Sequence, residues 1–279
     1  MISRFASAAA LVLLAACQVG HADASGPETA RAAGAQDLKQ NTDFYKFEYS
    51  YPAEASQIAE LKALLDKDAA AQENELDQLA REVWIDLKAA VEGDLAQAEG
   101  EQETAQLLEL LEQIKKYKAP FRPHFLAVDW SAAADLPGWF SLGAAIETYS
   151  GGAHGNYAFD TLLWNKARAK RFEPADLFVS KAALRDAIRP DFCRMLNEER
   201  NKRRENPVEA GSGDSFDECI DPLKSTLVLR SSGGKAFDTI SIRIAPYMAG
   251  SYAEGSYVIE LPVNDAMRSK VKPEFRDDF

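Results

Sequence analysis

Glu147-Thr148-Tyr149-Ser150-Gly151-Gly152-Ala153-His154-Gly155-Asn156-Tyr157 lies between two runs that alternate in polarity. Upstream, Phe140, Leu142, Ala144 and Ile146 alternate with Ser141, Gly143, Ala145 and Glu147. Downstream, Tyr157, Phe159, Thr161 and Leu163 share one side. A period of two marks a strand with distinct faces. The glycines between the runs reach positive φ without the clash a Cβ would cause. The stretch therefore reads as a β-hairpin whose loop is longer than the two-residue minimum and presents His154 between Tyr149 and Tyr157.

Working outward, Asp43 to Tyr51 alternates Tyr45, Phe47, Tyr49 and Tyr51 against Lys46, Glu48 and Ser50, and Pro52 ends this strand. From Ala55 to Val91 apolar residues recur at three- and four-residue steps, the mark of an amphipathic helix, with an interruption expected near Ala69-Ala70-Ala71. Leu107, Leu108, Leu111 and Ile114 make a second helix. It closes on Lys115, Lys116 and Lys118 before Pro120, where cations suit the helix dipole. Residues 55–117 thus form a helical-hairpin insertion. Phe125 to Ser131 is a strand, and Arg171-Phe172 a short return.

Pro174 to Phe178 reads as one helical turn, and Ser180 caps a helix with Leu184, Ile188, Phe192, Met195 and Leu196 on its apolar stripe. Pro190 should kink or split that helix. The run Glu198 to Glu205 reads as its solvated end. Three more strands follow: Thr226 to Leu229, Asp238 to Ile244 and Ser256 to Leu261. A last short helix opens at Pro262, and the charged tail from Lys272 is expected to fray. The fold class is α+β, an antiparallel sheet with helices on one face plus the insertion.

The chain has 279 residues, enough for one or two domains with a full core, and a net charge of −12. An acidic surface disfavours nucleic acid and attracts basic partners, weakly and with salt dependence. Arg4, the apolar run Ala8 to Ala16 and Leu14-Ala15-Ala16-Cys17 read as a secretory signal peptide over residues 1–16. The apolar run falls well short of the ~20 residues a membrane span needs. Leu-Ala-Ala-Cys resembles the bacterial lipobox, which implies Cys17 as an acylated N-terminus, palmitate included. A conventional cleavage site at His21-Ala22-Asp23 is the alternative. Gln18 after the cysteine leaves the outer membrane, facing the periplasm, as the expected destination. Residues 17–42, rich in small and polar side chains, read as a flexible tether.

In an oxidising compartment Cys193 and Cys219 form an even pair. A bridge between them closes a loop of about 26 residues, worth roughly 3–4 kcal/mol in the chain-entropy model.

Tyr149 to Gly155 and the later segment Pro246-Tyr247-Met248-Ala249-Gly250 together resemble an extracytoplasmic family. It comprises the domain of the lysozyme-sensing anti-sigma factor RsiV and the N-terminal part of the peptidoglycan deacetylase PdaC (a DUF3298 domain with a DUF4163-like N-terminal part). In that family a Tyr-x-Gly-Gly-Ala-His-Gly loop precedes a strand, a helix, and a strand leading to Pro-Tyr-x-x-Gly. The resemblance covers roughly residues 43–265. It implies a PdaC-like part over 43–165 carrying the insertion and an RsiV-like part over 166–279. Neither RsiV-type signalling nor deacetylation is carried over with it, and it does not account for the helices of 55–117.

Catalysis at His154 would need a nucleophile and an orienting acid. Ser150 and Asp160 are the local choices, but Gly-x-Ser-x-Gly is absent. With His21, His124 and His154 the only histidines, a zinc site would need distant residues to converge. No metal, cofactor or catalytic residue is expected. Trp84, Trp130, Trp139 and Trp164 read as core. The expected function is recognition of a macromolecule, a lysozyme-like or other basic protein. The binding residues are Tyr149, Gly151, Gly152, His154, Asn156, Tyr157 and Tyr247. Peptidoglycan or glycan binding is the alternative, and a hydrolase using His154 the third.

Overall fold

The computed structural model describes residues 36–279 except 118, 119, 121 and 210. The signal peptide, Cys17 and most of the tether lie outside the described residues.

The architecture is α+β, built on two sheets. The first has six strands in sequence order: β1 (Gln36–Asn41), β2 (Tyr45–Tyr51), β3 (His124–Asp135), β4 (Trp139–Tyr149), β5 (Asn156–Asn165) and β6 (Lys170–Phe172). The second has three: β7 (Thr226–Arg230), β8 (Thr239–Ile244) and β9 (Tyr257–Pro262). The helices are α1 (Ala53–Ser56, one turn), α2 (Ala59–Leu95), α3 (Glu101–Tyr117), α4 (Lys181–Arg203) and α5 (Asp265–Arg268).

The alternation in β2 works as read: Tyr45, Phe47, Tyr49 and Tyr51 are all buried. The tyrosine hydroxyls reach across to α2, where Tyr45 donates to Glu73 at 2.9 Å and Tyr49 to Asp68 at 2.8 Å. Trp130 of β3 donates its indole N–H to the Tyr49 oxygen at 2.8 Å. Leu61, Leu65, Ala69, Leu76 and Ala80 of α2 pack on this face together with Phe140, Leu142 and Ala144 of β4.

Two expectations about this half change. The helix does not break at Ala69–Ala71; α2 runs unbroken for 37 residues, about 55 Å at 1.5 Å per residue. Alanine is the best helix former, and Ala69 is itself buried against the sheet. The sheet also holds one parallel pair, β2 with β3, among antiparallel neighbours. The helical hairpin between these strands is the long crossover that a parallel pair requires. The tether ends sooner than expected, because Gln36–Asn41 pairs with β2 as an exposed edge strand.

The second core lies between β7–β9 and α4, where Leu184, Ile188, Phe192 and Leu196 meet Leu229, Ile240, Ile242 and Ile259. Ser180 caps α4 by accepting from Ala183 N at 3.0 Å. The helix continues through Pro190, held by buried residues on both sides of it. The tail is docked rather than frayed. Phe275 and Phe279 are buried, with Trp139 5.7 Å from Phe275 and Phe178 5.4 Å from Phe279 between ring centroids. All four tryptophans are core residues. Cys193 of α4 and Cys219 form a disulfide with Cα atoms 5.4 Å apart.

Candidate binding site

The hairpin is the one the sequence describes. Thr148 pairs with Asn156, and the loop between them carries Gly151 at φ 107° and Gly152 at φ 87°. At Gly155 the constraint is space, since a Cβ there would lie 2.8 Å from the Thr148 carbonyl. Tyr149 braces the loop by donating to the Gly152 carbonyl at 3.1 Å. Tyr157 donates to Glu147 at 3.4 Å across the hairpin base. Burial first, then the Glu147 carboxylate, raises the Tyr157 pKa.

His154 is exposed at the tip, and its Nδ1 lies 2.8 Å from the Gly155 carbonyl. A carbonyl only accepts, so Nδ1 carries the proton in that contact. The ring does not sit between Tyr149 and Tyr157. It stacks on Tyr252, with centroids 4.0 Å apart and planes 24° apart. Tyr252 also donates to the Gly155 carbonyl at 2.9 Å. Tyr247 continues the row, 5.5 Å from Tyr252 at 33°. The structure thus joins the glycine loop and the Pro246–Gly250 segment through a three-ring ladder, Tyr247–Tyr252–His154.

Tyr247 is 55% exposed and adopts φ 67°, unusual for a residue with a side chain. Met248 beside it is exposed as well. Backbone held in sparsely populated regions persists only where its surroundings impose it. Here the surroundings are the last turns of α4. Arg200, fully buried, donates to the carbonyls of Ala249 at 2.9 Å, Glu218 at 3.1 Å and Asp217 at 3.3 Å. Arg204 donates to Glu254 at 2.7 Å and Asp217 at 2.9 Å. Arg203 donates to the carbonyls of Glu254 and Ser256, both at 2.7 Å, and lies over the Tyr257 ring.

Glu254 is the hub of this support. It also accepts from the Tyr257 hydroxyl and from Ser251 N, closing a capping box with Ser251. Burial works to raise its pKa, but Arg204, Tyr257 and the Ser251 amide outweigh burial and hold it at about 2. Gly250 is required beside it, because a Cβ there would fall 2.6–2.7 Å from the Glu254 carboxylate.

The run Glu198 to Glu205 is therefore not a merely solvated helix end. Its arginines hold up the tyrosine segment. Arg200, Arg204, Tyr252 and Glu254 are the site residues that sequence reasoning missed. One signal was readable, since Ser251-Tyr252-Ala253-Glu254 fits the Ser-x-x-Glu capping pattern. Among the described residues Ser150 and Asp160 make no hydrogen bond to His154. No group of three or more His, Cys, Asp or Glu able to hold a metal occurs there. No helix of the described residues is long and apolar enough to cross a membrane.

With this geometry in place, residues 38–157, from β1 through the glycine loop, match the family model described as deacetylase PdaC. Over this stretch the chain is similar to that family. The matched region spans β2, the helical hairpin of α2 and α3, and the strands that carry the loop. Its match stops at Tyr157, so Tyr247, Tyr252 and the arginines of α4 lie beyond it. No curated protein matches the chain.

Similar solved structures include a DUF3298 family member from Bacteroides fragilis, at 12% identity and TM-score 0.48, covering 86% of this chain and 93% of that one. A DUF3298 family protein from Pseudomonas aeruginosa PAO1 is similar at 11% identity and TM-score 0.45, covering 86% and 92% respectively.

Proposed function

We propose that the protein is a lipid-anchored, non-catalytic binding module of the cell envelope, which recognises a macromolecule through the Tyr247–Tyr252–His154 face. The observation that carries this reading is the ladder itself: three rings from two loops, exposed at Tyr247 and His154 and fixed from below by buried Arg200 and half-buried Arg204. Binding residues concentrate on loops set on rigid scaffolds. Tyrosine and methionine are enriched at protein interfaces, and rigid aromatic anchors carry much of their energy.

The partner we infer is a basic protein, lysozyme-like in charge, because the chain carries −12. Electrostatic attraction of that kind raises the association rate and fades with salt. The non-catalytic reading rests on His154, whose Nδ1 engages a backbone carbonyl and one of whose faces is covered by Tyr252. A second reading, peptidoglycan or glycan binding, is favoured by the exposed Tyr247 ring at the end of the ladder, a flat surface on which a sugar can stack.

The experiment is retention of lysozyme and of insoluble peptidoglycan by the wild-type chain and by His154→Ala. Retention of lysozyme that is lost in the variant supports the first reading, and retention of peptidoglycan alone supports the second. Equal retention by both proteins refutes a role for the loop. Anchoring through Cys17 at the outer membrane, facing the periplasm, is part of the same proposal. Palmitate labelling lost in Cys17→Ala supports it, and labelling that persists refutes it.

A further inference from the structure

On the far side of the loop strands, the second sheet lays a cation against the first with no hydrogen-bonded partner among the described residues. Arg243 lies on β8, the middle strand, with Thr226 of β7 and Val258 of β9 directly opposite on the same face. A Cβ built on Gly143 of β4 would fall 2.8 Å from Arg243 Nη1, 2.9 Å from Cζ and 3.0 Å from Nη2. The flat guanidinium therefore rests on the β4 backbone where a side chain is missing. Phe159 of β5 lies on another side, 6.0 Å from Cζ to the ring centroid.

No hydrogen bond or ion pair ties this guanidinium to any described residue. The acceptors around it are already engaged. Ser131 Oγ donates to the Gly143 carbonyl at 3.1 Å, Thr226 Oγ1 to the Phe159 carbonyl at 2.9 Å, and Arg171 to the Thr161 carbonyl at 2.8 Å. Glu260, two residues along β9, gives one carboxylate oxygen to Arg230 and Ser241, both at 2.9 Å, and its charge favours the Arg243 cation without hydrogen-bonding to it. Two buried hydroxyls of the same region, Ser141 Oγ on β4 and Ser225 Oγ just before β7, also lack partners. A guanidinium presents five donors in one plane, and a partly buried one without acceptors is costly. Burial lowers its pKa, yet arginine keeps its charge. The row stays open at β9, where Val258 is 43% exposed.

We propose that the Arg243 guanidinium is a binding site for a ligand carboxylate, admitted at the Val258 edge and received over Gly143. A carboxylate is planar and matches the guanidinium fork with two parallel hydrogen bonds. A phosphate dianion fits the chemistry less well, because it is tetrahedral and its double charge is repelled by Glu260 about twice as strongly as the single charge of a carboxylate. The carboxylate comes either from a small free acid or from the C-terminus of a peptide. This site stands independently of the ladder face.

The test follows the Arg243 Nε–Hε resonance of the full chain, assigned by its loss in Arg243→Lys. The probes are acetate, acetyl-dialanine with a free C-terminus, and the same peptide as its amide. Saturable shifts with the free-acid peptide and none with the amide support the site. Acetate acting at the same concentration identifies a small free acid as the source, and a clear preference for the peptide identifies a chain terminus. Affinity read from backbone resonances of β4 and β8 should fall tenfold or more in Arg243→Lys, which keeps the charge and loses the fork. Gly143→Ala, which displaces the guanidinium, should weaken it similarly. Equal shifts with acid and amide, no shift in the wild type, or unchanged affinity in Arg243→Lys would overturn the proposal.

Discussion

His154 and Tyr252 stack at 4.0 Å between ring centroids, and the Tyr252 hydroxyl closes the contact by donating to the carbonyl of Gly155, the residue after His154. One ring and one hydrogen bond thus fasten the 245–256 segment to the hairpin loop. The stack is worth about 0.5–1.5 kcal/mol and the hydrogen bond about 1 kcal/mol. Tyr252→Phe should cost about 1 kcal/mol and leave partner affinity within a few fold. Tyr252→Ala should lose both terms and weaken binding tenfold or more. Titration of the partner into the two variants distinguishes them, and equal affinities would show that the ring itself is idle.

Gly250 and Glu254 make a second such pair. The methyl of Gly250→Ala would meet the carboxylate at 2.6–2.7 Å, and the carboxylate is held by Arg204, Tyr257 and Ser251. It cannot retreat without breaking one of those bonds. Gly250→Ala is expected to cost about 2 kcal/mol, in the range of overpacked sites. Denaturant unfolding measures this, and a melt indistinguishable from wild type would contradict it.

Glu254 also sets an acid limit. Its folded pKa of about 2 lies below its ordinary value of 4.5. The stability it contributes is therefore fully present above pH 4.5 and is lost as pH falls through its folded pKa toward 2. Stability of the wild type should drop across that window, and Glu254→Gln should flatten the drop. Because a neutral amide is a poorer partner for Arg204 than the carboxylate, the variant should also lose about 3 kcal/mol at neutral pH. Identical acid profiles for the two proteins would rule this out.

The disulfide steadies the same platform from the other side. Cys219 follows Asp217 and Glu218, whose carbonyls accept from Arg200, and its own carbonyl accepts from Arg189 at 3.1 Å. Replacing Cys193 and Cys219 together by serine should cost roughly 3–4 kcal/mol for a loop of this length. It should also speed amide exchange in residues 216–219 and 249. Protection unchanged in those segments would mean that the arginines alone fix them.

The strand position of β2 was legible because its buried tyrosines and Phe47 alternate with Lys46 and Glu48. Those of β4 and β5 were legible from the alternation of large apolar with small or polar residues, although residues 139–144 and 161–165 are buried on both faces. The capped start of α4 was legible because Ser180 lies next to the helix it caps. Strand direction was not, since alternation looks alike in parallel and antiparallel pairs, and β3 returns beside β2 only after the helical hairpin. β1 escaped because all six of its residues are exposed and it is held by backbone bonds with one surface ion pair, Lys39 with Glu48 at 3.2 Å. At the site, Tyr149 to Gly155 and Tyr247 could be read from local glycine and tyrosine patterns. Arg200 and Arg204 could not. In a run as charged as Glu198 to Glu205 burial is unexpected, and it follows only from carbonyls at 216–218 and 249 brought in by distant chain. Phe275 and Phe279 were hidden in the same way by the charges of the tail around them.

The central claim is that the exposed ladder is the recognition surface. Calorimetric titration of lysozyme into the wild-type chain and into a Tyr247→Ala/His154→Ala double variant, at low and at physiological salt, tests it most directly. The account predicts saturable binding to the wild type that weakens with salt. It also predicts at least a tenfold loss in the double variant, with its melting temperature lowered by no more than a few degrees, the cost of the lost ring contacts. Binding of equal affinity in both proteins, or none to the wild type at either salt, would contradict it.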